Sequence, residues 1–459
     1  MLLLFVDTLR ADRLGCYGYT QRPTSPAIDA LARGGAVFDQ AFATASWTAP
    51  SAASLLTSLY PTEHGVRTAR RTPSGEVLID SPLSPHLDSL AVVLQRAGYA
   101  TRGVVSNYLL DRPWGFDAGF DEFSMLQAEG HDQESAVVGG LVADQALAWL
   151  DELAEGDAPF FLMAHFFDPH ALYMNHEEIA FTDGGALPEG MAWGGKVLNG
   201  ALEKMTAPER APYLETLAAT YDEEIAHTDA QMGRILARLD ELGLAENTLV
   251  VFTADHGEYF MERDREGEED DKRHAWIGHG RELFEELLRV PLIIRGPNVE
   301  PGRQVDGPVS LLDVLPTVID LAALPRLGTA PRGRSLRSIL AGGDADADRP
   351  IFAEIHFSEL EDGALMDDGQ IYWTKRSVRA GGWKLVENSL RDTRLLMDTG
   401  VAVAERSDEA DRQTDQVERL GGLLQKWRSR LAPVTNASPQ AMTAEEARQL
   451  IGLGYLDEE

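Results

Sequence analysis

The sequence predicts an α/β fold built on a mostly parallel sheet, with a smaller α+β unit at its C-terminal end. Three observations predict it. Short apolar runs recur at Leu2–Val6, 101–105, Phe160–Phe166, 248–253 and 290–294. Stretches with apolar residues at helical spacing separate them, at 51–58, 87–97, 139–153, 212–242 and 311–321. That alternation is the pattern of a parallel sheet packed between helices. Finally, the composition changes at 341–350 to AGGDADADRP, a linker-like run followed by short strand-like pieces at 351–355 and 383–386 and a polar helix at 414–431.

Each element has its own signal. The opening run after Met1 is short, with no basic stretch before it and no small-residue cleavage site after it, so it reads as a buried strand. Without a signal peptide the expected compartment is the cytoplasm, or the periplasm or exterior if a leader precedes this sequence. The 212–242 stretch runs into Gly243, a natural helix stop. Gly-rich 181–208 and acidic 258–272 read as inserted loops. The final segment TAEEARQLIGLGYLDEE reads as a capped helix with a docking tail.

The chain has 459 residues, enough for two or three domain-sized units, and 44% of them are hydrophobic. A net charge of −33, from 74 acidic and 41 basic residues, disfavours nucleic acid and anionic membranes as partners. No apolar run is long enough for a membrane span. Cys16 is the single cysteine, so no disulfide forms within the chain.

In an open parallel sheet, ligands bind beyond the carboxyl ends of the strands. The residues there are Asp7, then Ser106 and Asn107, then Asp168 and His170, then Asp255 and His256. All can bind a metal ion or an oxyanion, and their convergence marks a site. Asp7, Asp255 and His256 form a natural set of two carboxylates and an imidazole, suited to Zn, Mn, Mg or Ca. The competing reading is that the two aspartates only cap the helices after them. Thr48 lies in SWTAPSAASLLTSL, where Pro50 starts a helix, so its hydroxyl sits near a helix N-terminus that favours anions. It is either an N-cap or a nucleophile whose proton a neighbouring metal makes acidic. His64, His170, His274 and His279 are further candidates; His170 in FFDPH and His279 in IGHGRELFEE have the settings of site residues.

These segments together resemble the bacterial sulfatases. The resemblance rests on VDTLRADRLGCYGY, SPAIDALARGGAVFDQAFATASWTAPSAASLLTSLYPTEHGV, HFFDPH, TADHGE, GHGRELFEELLRVPLIIRGP, VSLLDVLPTVIDLA, RGRSL and LIGLGYLDEE. It runs from Asp7 to Tyr455. It implies an alkaline-phosphatase-like α/β core over residues 1–345 and a small subdomain over 346–459 with antiparallel strands and a helix. By the same resemblance Asp7, Asp255 and His256 are metal ligands and Thr48 occupies the nucleophile position, completing the metal set. His170 and His279 contact the ester oxyanion and leaving group, and Asn107 lines the pocket. The implied activity is metal-dependent hydrolysis of a sulfate or phosphate ester of a small molecule or glycan. A transferase, and a binding protein without turnover, are the alternatives.

Three departures from the family pattern shape the expectation. Threonine stands where sulfatases carry the cysteine or serine that becomes formylglycine, so no formylglycine is expected. Ala52 replaces the motif arginine that supports it. Thr8 replaces the second Asp of the usual Asp-Asp pair, which, with His256 present, favours Zn or Mn over Ca or Mg. A threonine nucleophile resembles the phosphodiesterases of the same superfamily. Phosphodiesters or phosphonate monoesters are therefore expected ahead of sulfate monoesters.

Overall fold

The computed structural model describes the chain apart from residues 68, 72–76, 80, 128–137, 175, 177, 182–195, 203, 263–275, 358–372, 401–406, 435–439, 444–446 and 448–459. The strand Leu2–Val6 lies at the centre of the main sheet because every one of its side chains is apolar and can be buried on both faces. All five are at most 1% exposed. It pairs in parallel with Phe160–Phe166 on one side and Val250–Ala254 on the other. Ala100–Val105 and Glu122–Met125 extend the sheet in parallel beyond Phe160–Phe166.

On the other wing the sheet is mixed. Leu292–Arg295 runs antiparallel to Val250–Ala254 and to Ala36–Phe42, which Arg303–Ser310 joins in parallel. The expected run at 290–294 is thus split by Pro291 into Arg289–Val290 and Leu292–Arg295, since proline supplies no N–H to a ladder. Ala36–Phe42 escaped the sequence reading because Asp39 and Gln40 interrupt its apolar pattern. The result is a nine-stranded, mostly parallel sheet.

Helices cover it in two groups. Gly139–Glu155 and Pro26–Arg33 pack against the long helix Ala207–Glu241, while Leu90–Arg96 and Val314–Leu321 pack against Thr48–Thr57. The long helix begins five residues before its expected start, because Thr206 and Glu209 form a capping box ahead of Pro212. It ends as expected before Gly243, which takes a left-handed φ of 68°.

The C-terminal region folds as a four-stranded antiparallel sheet: Ile351–Phe357, Trp373–Ala380, Trp383–Asn388 and Thr393–Asp398. The helix Thr414–Arg428 packs on it through Leu420, Leu424 and Trp427. Glu354 ties this sheet to the catalytic body. Its carboxylate accepts hydrogen bonds from Thr62 N at 2.7 Å and Thr62 Oγ1 at 2.8 Å, and its amide donates to Thr44 O. The expected C-terminal helix and tail, much of the two expected insertions, and His274 lie outside the described residues.

Candidate active site and metal centre

The site forms where the three central strands end. Asp7 follows the strand Leu2–Val6 directly, and its amide still belongs to the ladder, donating to Phe166 O at 2.8 Å. Its carboxylate therefore stands at the sheet's edge, fully buried. Asp255 follows Val250–Ala254 in the same way, with its amide 3.3 Å from Val6 O. Parallel pairing thus sets the two carboxylates side by side.

Thr48 is the first residue of the helix Thr48–Thr57, and Trp47, not Thr48, occupies the N-cap. That removes the reading of Thr48 as a cap. Ser51, one turn on, donates to Asp255 O at 2.6 Å and locks the helix start to the strand end. Thr48 Oγ1 lies 3.4 Å from Asp7 Oδ1 and 3.4 Å from His256 Nε2. His256 Nε2 in turn lies 3.8 Å from Asp7 Oδ1 and 3.5 Å from Asp255 Oδ2. Donors held around one divalent ion at roughly 2.0–2.4 Å stand about 3–4 Å from each other. The Thr48–Asp7, Thr48–His256, His256–Asp7 and His256–Asp255 pairs have that spacing.

The backbone prepares these side chains. His256 Nδ1 bonds Gly257 O at 2.9 Å, which fixes the proton on Nδ1 and leaves Nε2 as a donor lone pair. Gly257 is needed for close approach: a Cβ there would stand 2.0 Å from Glu286 O. Thr8 adopts φ 52°, a strained value for a β-branched residue. Its amide donates to Asp255 Oδ1 at 3.1 Å, and its carbonyl accepts Tyr221 Oη–H at 2.7 Å. The same tyrosine oxygen accepts from Arg10 N at 3.0 Å, so the long helix clamps the turn after Asp7.

Asn107 Nδ2 donates to Asp7 Oδ2 at 2.6 Å while its Oδ1 caps the next turn at Leu109 N. His170 is stacked on Phe167, with its Nδ1 2.6 Å from Ala171 O. The His279 ring centroid lies 4.9 Å from that of His170 and 4.5 Å from that of His256. The His279 loop is fixed beside the Thr48 helix by Gly280 N donating to Ser46 O at 2.8 Å. Asp7, Thr48, Asn107, His170, Asp255, His256 and His279 therefore meet in one place. Asp168 turns elsewhere, accepting Gly139 N at 3.0 Å at the start of a helix. His64 lies behind the Thr48 helix, bonded to Ser54 Oγ at 3.1 Å.

Two members were missed in the sequence. Glu258 is 1% exposed, with Oε1 3.0 Å from His279 Nδ1 and Oε2 accepting from Tyr173 Oη at 3.2 Å. His165 is fully buried in the strand Phe160–Phe166, its Nε2 3.7 Å from Asp7 Oδ2. Ligand atoms of Asp7, His165 and Asp255 all lie within 4.8 Å of one another.

The electrostatics call for a cation. Burial pushes the Asp7 carboxyl well above its ordinary range, with Asp255 adding repulsion. Burial raises Asp255 to about 7 and Glu258 to about 7. It also drives His170 down to about 3 and His279 well below its usual value, so these imidazoles are neutral. Arg10, the nearby guanidinium, is taken up by Asp12, Glu262 and Glu258 O. Thr8 Oγ1 and both ring nitrogens of His165 are buried without a hydrogen-bond partner. Close carboxylates, neutral imidazoles and orphaned donor atoms together fit a divalent metal ion.

The sulfatase family profile matches residues 1–324. The steryl-sulfatase of Mus musculus is 30% identical over 408 residues, covering 74% of this chain and 65% of that protein. An ulvan-active sulfatase of Formosa agariphila is 26% identical over 373 residues, covering 76% of this chain and 66% of its own length. The chain thus spans just under two thirds of the length of these curated relatives. A phosphonate monoester hydrolase from Silicibacter pomeroyi has the same fold, with a TM-score of 0.72 at 22% identity over 96% of this chain and 99% of that one. A mixed, mostly parallel sheet with buried carboxylates and imidazoles at its strand ends, an antiparallel C-terminal sheet and a profile match over most of its length converge: the chain belongs to the sulfatase family.

Proposed function

We propose that the protein is a metal-dependent ester hydrolase that attacks singly charged phosphoesters, phosphodiesters or phosphonate monoesters, through Thr48. The observation that carries this reading is the place of the Thr48 hydroxyl, 3.4 Å from both Asp7 Oδ1 and His256 Nε2 at the start of a buried helix. Asp7, Asp255, His256 and Thr48 would hold the ion, with Zn or Mn favoured by the imidazole and by threonine at position 8. The ion supplies the charge that makes the Thr48 hydroxyl acidic and offsets the negative charge of the ester.

The chain's own residues do the rest. Deprotonated Thr48 Oγ1 forms a bond to phosphorus, and the bond from phosphorus to the departing alcohol oxygen breaks. His279, neutral at rest, takes up the proton released from Thr48 and passes it to that oxygen, with Glu258 holding the ring through Nδ1 and His170 beside it. Water then attacks the same phosphorus and passes a proton to His279; the bond from phosphorus to Thr48 Oγ1 breaks, and His279 returns the proton to Thr48. N–H groups at the helix start favour the negative charge that builds on the ester oxygens. A formylglycine hydrate releases sulfate by collapsing to an aldehyde, whereas a threonine ester needs direct attack by water. That second step is easier at phosphorus. Ala52, at the position of the family's arginine, is small and fully buried and adds no positive charge for a doubly charged monoester.

A sulfate monoester substrate is the second reading, favoured by the similarity to the steryl- and ulvan-active sulfatases. The two are separated by kcat/KM on p-nitrophenyl sulfate, p-nitrophenyl phosphate, bis-p-nitrophenyl phosphate and p-nitrophenyl phenylphosphonate, each with Zn, Mn, Mg and Ca. The diester or phosphonate is expected to lead. An aryl sulfate turned over faster than every phosphorus ester would reverse the assignment.

A further inference from the structure

His165 belongs to no expected ligand set, yet its position is hard to explain without a ligand. It is the penultimate residue of the strand Phe160–Phe166, in register with Phe5 on the neighbouring strand, which ends at Val6 directly before Asp7. The imidazole is fully buried, and neither Nδ1 nor Nε2 has a hydrogen-bond partner. A buried imidazole in that state loses its hydration without compensation. Asp7 does not compensate it, since its carboxylate lies beyond hydrogen-bond reach of the ring. A neutral imidazole has one lone pair to give, and Nε2 stands 3.7 Å from Asp7 Oδ2. That is the separation of two donors sharing an ion, and Asp255 completes a group within 4.8 Å. The other face of the ring meets Phe5 edge-on, with centroids 5.0 Å apart.

Thr8 supplies the complementary observation. It offers no carboxylate, and its amide and carbonyl are already committed to Asp255 and Tyr221. The site is short of a donor on the chain that carries Asp7, and His165 stands beside Asp7 on the adjacent strand.

We infer that His165 is a further ligand of the metal centre through Nε2, so that the ion is held by two carboxylates, two imidazoles and the Thr48 hydroxyl. The inference rests on the metal-centre reading above and sharpens it. Two nitrogen donors suit Zn, Mn, Co or Fe, whereas calcium takes six to eight oxygens. Selectivity against calcium therefore resides in His165 together with the absence of a carboxylate at position 8.

The test is made on the full-length protein stripped of metal and reloaded with Zn or Co alone. X-ray absorption at the metal edge counts imidazoles in the wild type, which needs no variant. Two are expected; one overturns the inference while leaving the metal centre standing. Failure to bind one equivalent of either metal overturns the metal centre itself. Calorimetric titration of His165→Ala is expected to show Zn or Co affinity lower by a hundredfold or more, and one imidazole by absorption. His165→Gln keeps more of the side-chain volume and serves if the alanine variant does not fold. Affinity within threefold of wild type in a folded variant refutes ligation. Thr8→Asp combined with His165→Ala is expected to exchange the preference, gaining calcium affinity at least tenfold over the wild type. A double variant with unchanged calcium affinity counts against the assigned selectivity.

Discussion

Replacing Thr48 by alanine separates a nucleophile from a structural threonine, because the structure keeps the stability cost small. The substitution removes one methyl and one hydroxyl. Trp47 is the N-cap, so the cap penalty of about 0.5–2 kcal/mol does not apply. The hydroxyl's contacts to Asp7 and His256 are both 3.4 Å, long for hydrogen bonds and weak as such. The lost methyl and the hydroxyl's hydrogen bond to Asp255 together account for about 2 kcal/mol, which lowers Tm by no more than about 8 °C. Activity should fall on the order of 10⁴-fold or more, the scale of losing a covalent nucleophile. Thr48→Ser keeps the oxygen but frees its χ1, and should retain activity within about a hundredfold, the usual cost of a misplaced reacting group. The assay is steady-state turnover of bis-p-nitrophenyl phosphate and p-nitrophenyl phenylphosphonate, with a thermal melt of each variant. Rapid quench and mass analysis of the wild type should show a transient adduct on the peptide containing Thr48. A folded Thr48→Ala protein retaining more than about 1% of wild-type kcat/KM would exclude the covalent route, for that exceeds the residual rate expected without the nucleophile.

Other expectations follow from the same contacts. Glu258→Gln leaves His279 without its carboxylate partner, so kcat should drop about a hundredfold for an alkyl leaving group and under tenfold for p-nitrophenolate; equal losses would place Glu258 outside leaving-group protonation. Gly257→Ala forces a Cβ against Glu286 O and should cost about 2–3 kcal/mol by denaturant melt; a neutral result would mean the loop moves easily. At Glu354, burial raises the carboxyl, but His356 and Arg376, with the Thr62 hydrogen bonds, outweigh it and hold the group at about 2, below its ordinary value near 4.5. Its contribution of about 3 kcal/mol is therefore present above pH ~4.5 and lost as pH falls through ~2. Glu354→Gln should melt lower at pH 7, with the gap closing between pH 5 and 2; a gap independent of pH would refute the linkage. Asp313→Ala strands the buried Arg349 guanidinium, now bonded at 2.5 and 2.7 Å, and should cost about 3–5 kcal/mol.

Most of the candidate site's placement could be read from the sequence because the sheet rule assigns meaning to the residue after a strand. Asp7, Asn107, His170 and Asp255 with His256 all follow recognisable strands, and Pro50 betrays the helix that presents Thr48. What escaped had no such marker. His165 sits inside FFLMAHF, where an apolar run makes a polar residue look like an interruption of the core. Its significance needs the register that sets it beside Phe5, and register between strands about 160 residues apart has no sequence signal. Glu258 stands one glycine beyond His256 and looked like the start of an acidic loop; only the partners Tyr173 and His279 show it to be buried. The mixed wing of the sheet was missed because strand direction is decided by the connections. In the C-terminal sheet, the charged residues of Trp373–Ala380 and Thr393–Asp398 hid two of four strands.

The central strand has a consequence for how the molecule is made. Leu2–Val6 finds its pairing partners only at Phe160–Phe166 and Val250–Ala254. During synthesis the second partner emerges about 240 residues later, roughly ten to fifty seconds at the usual elongation rates. Until Phe160–Phe166 emerges, an entirely apolar strand waits without either neighbour, a target for chaperones and for wrong pairing. Asp7 and the pair Asp255–His256 likewise cannot meet until more than half of the chain has left the ribosome. A metal ion held there would therefore be acquired only once six of the nine strands are made, and a nascent chain arrested before Asp255 should take up none at this site.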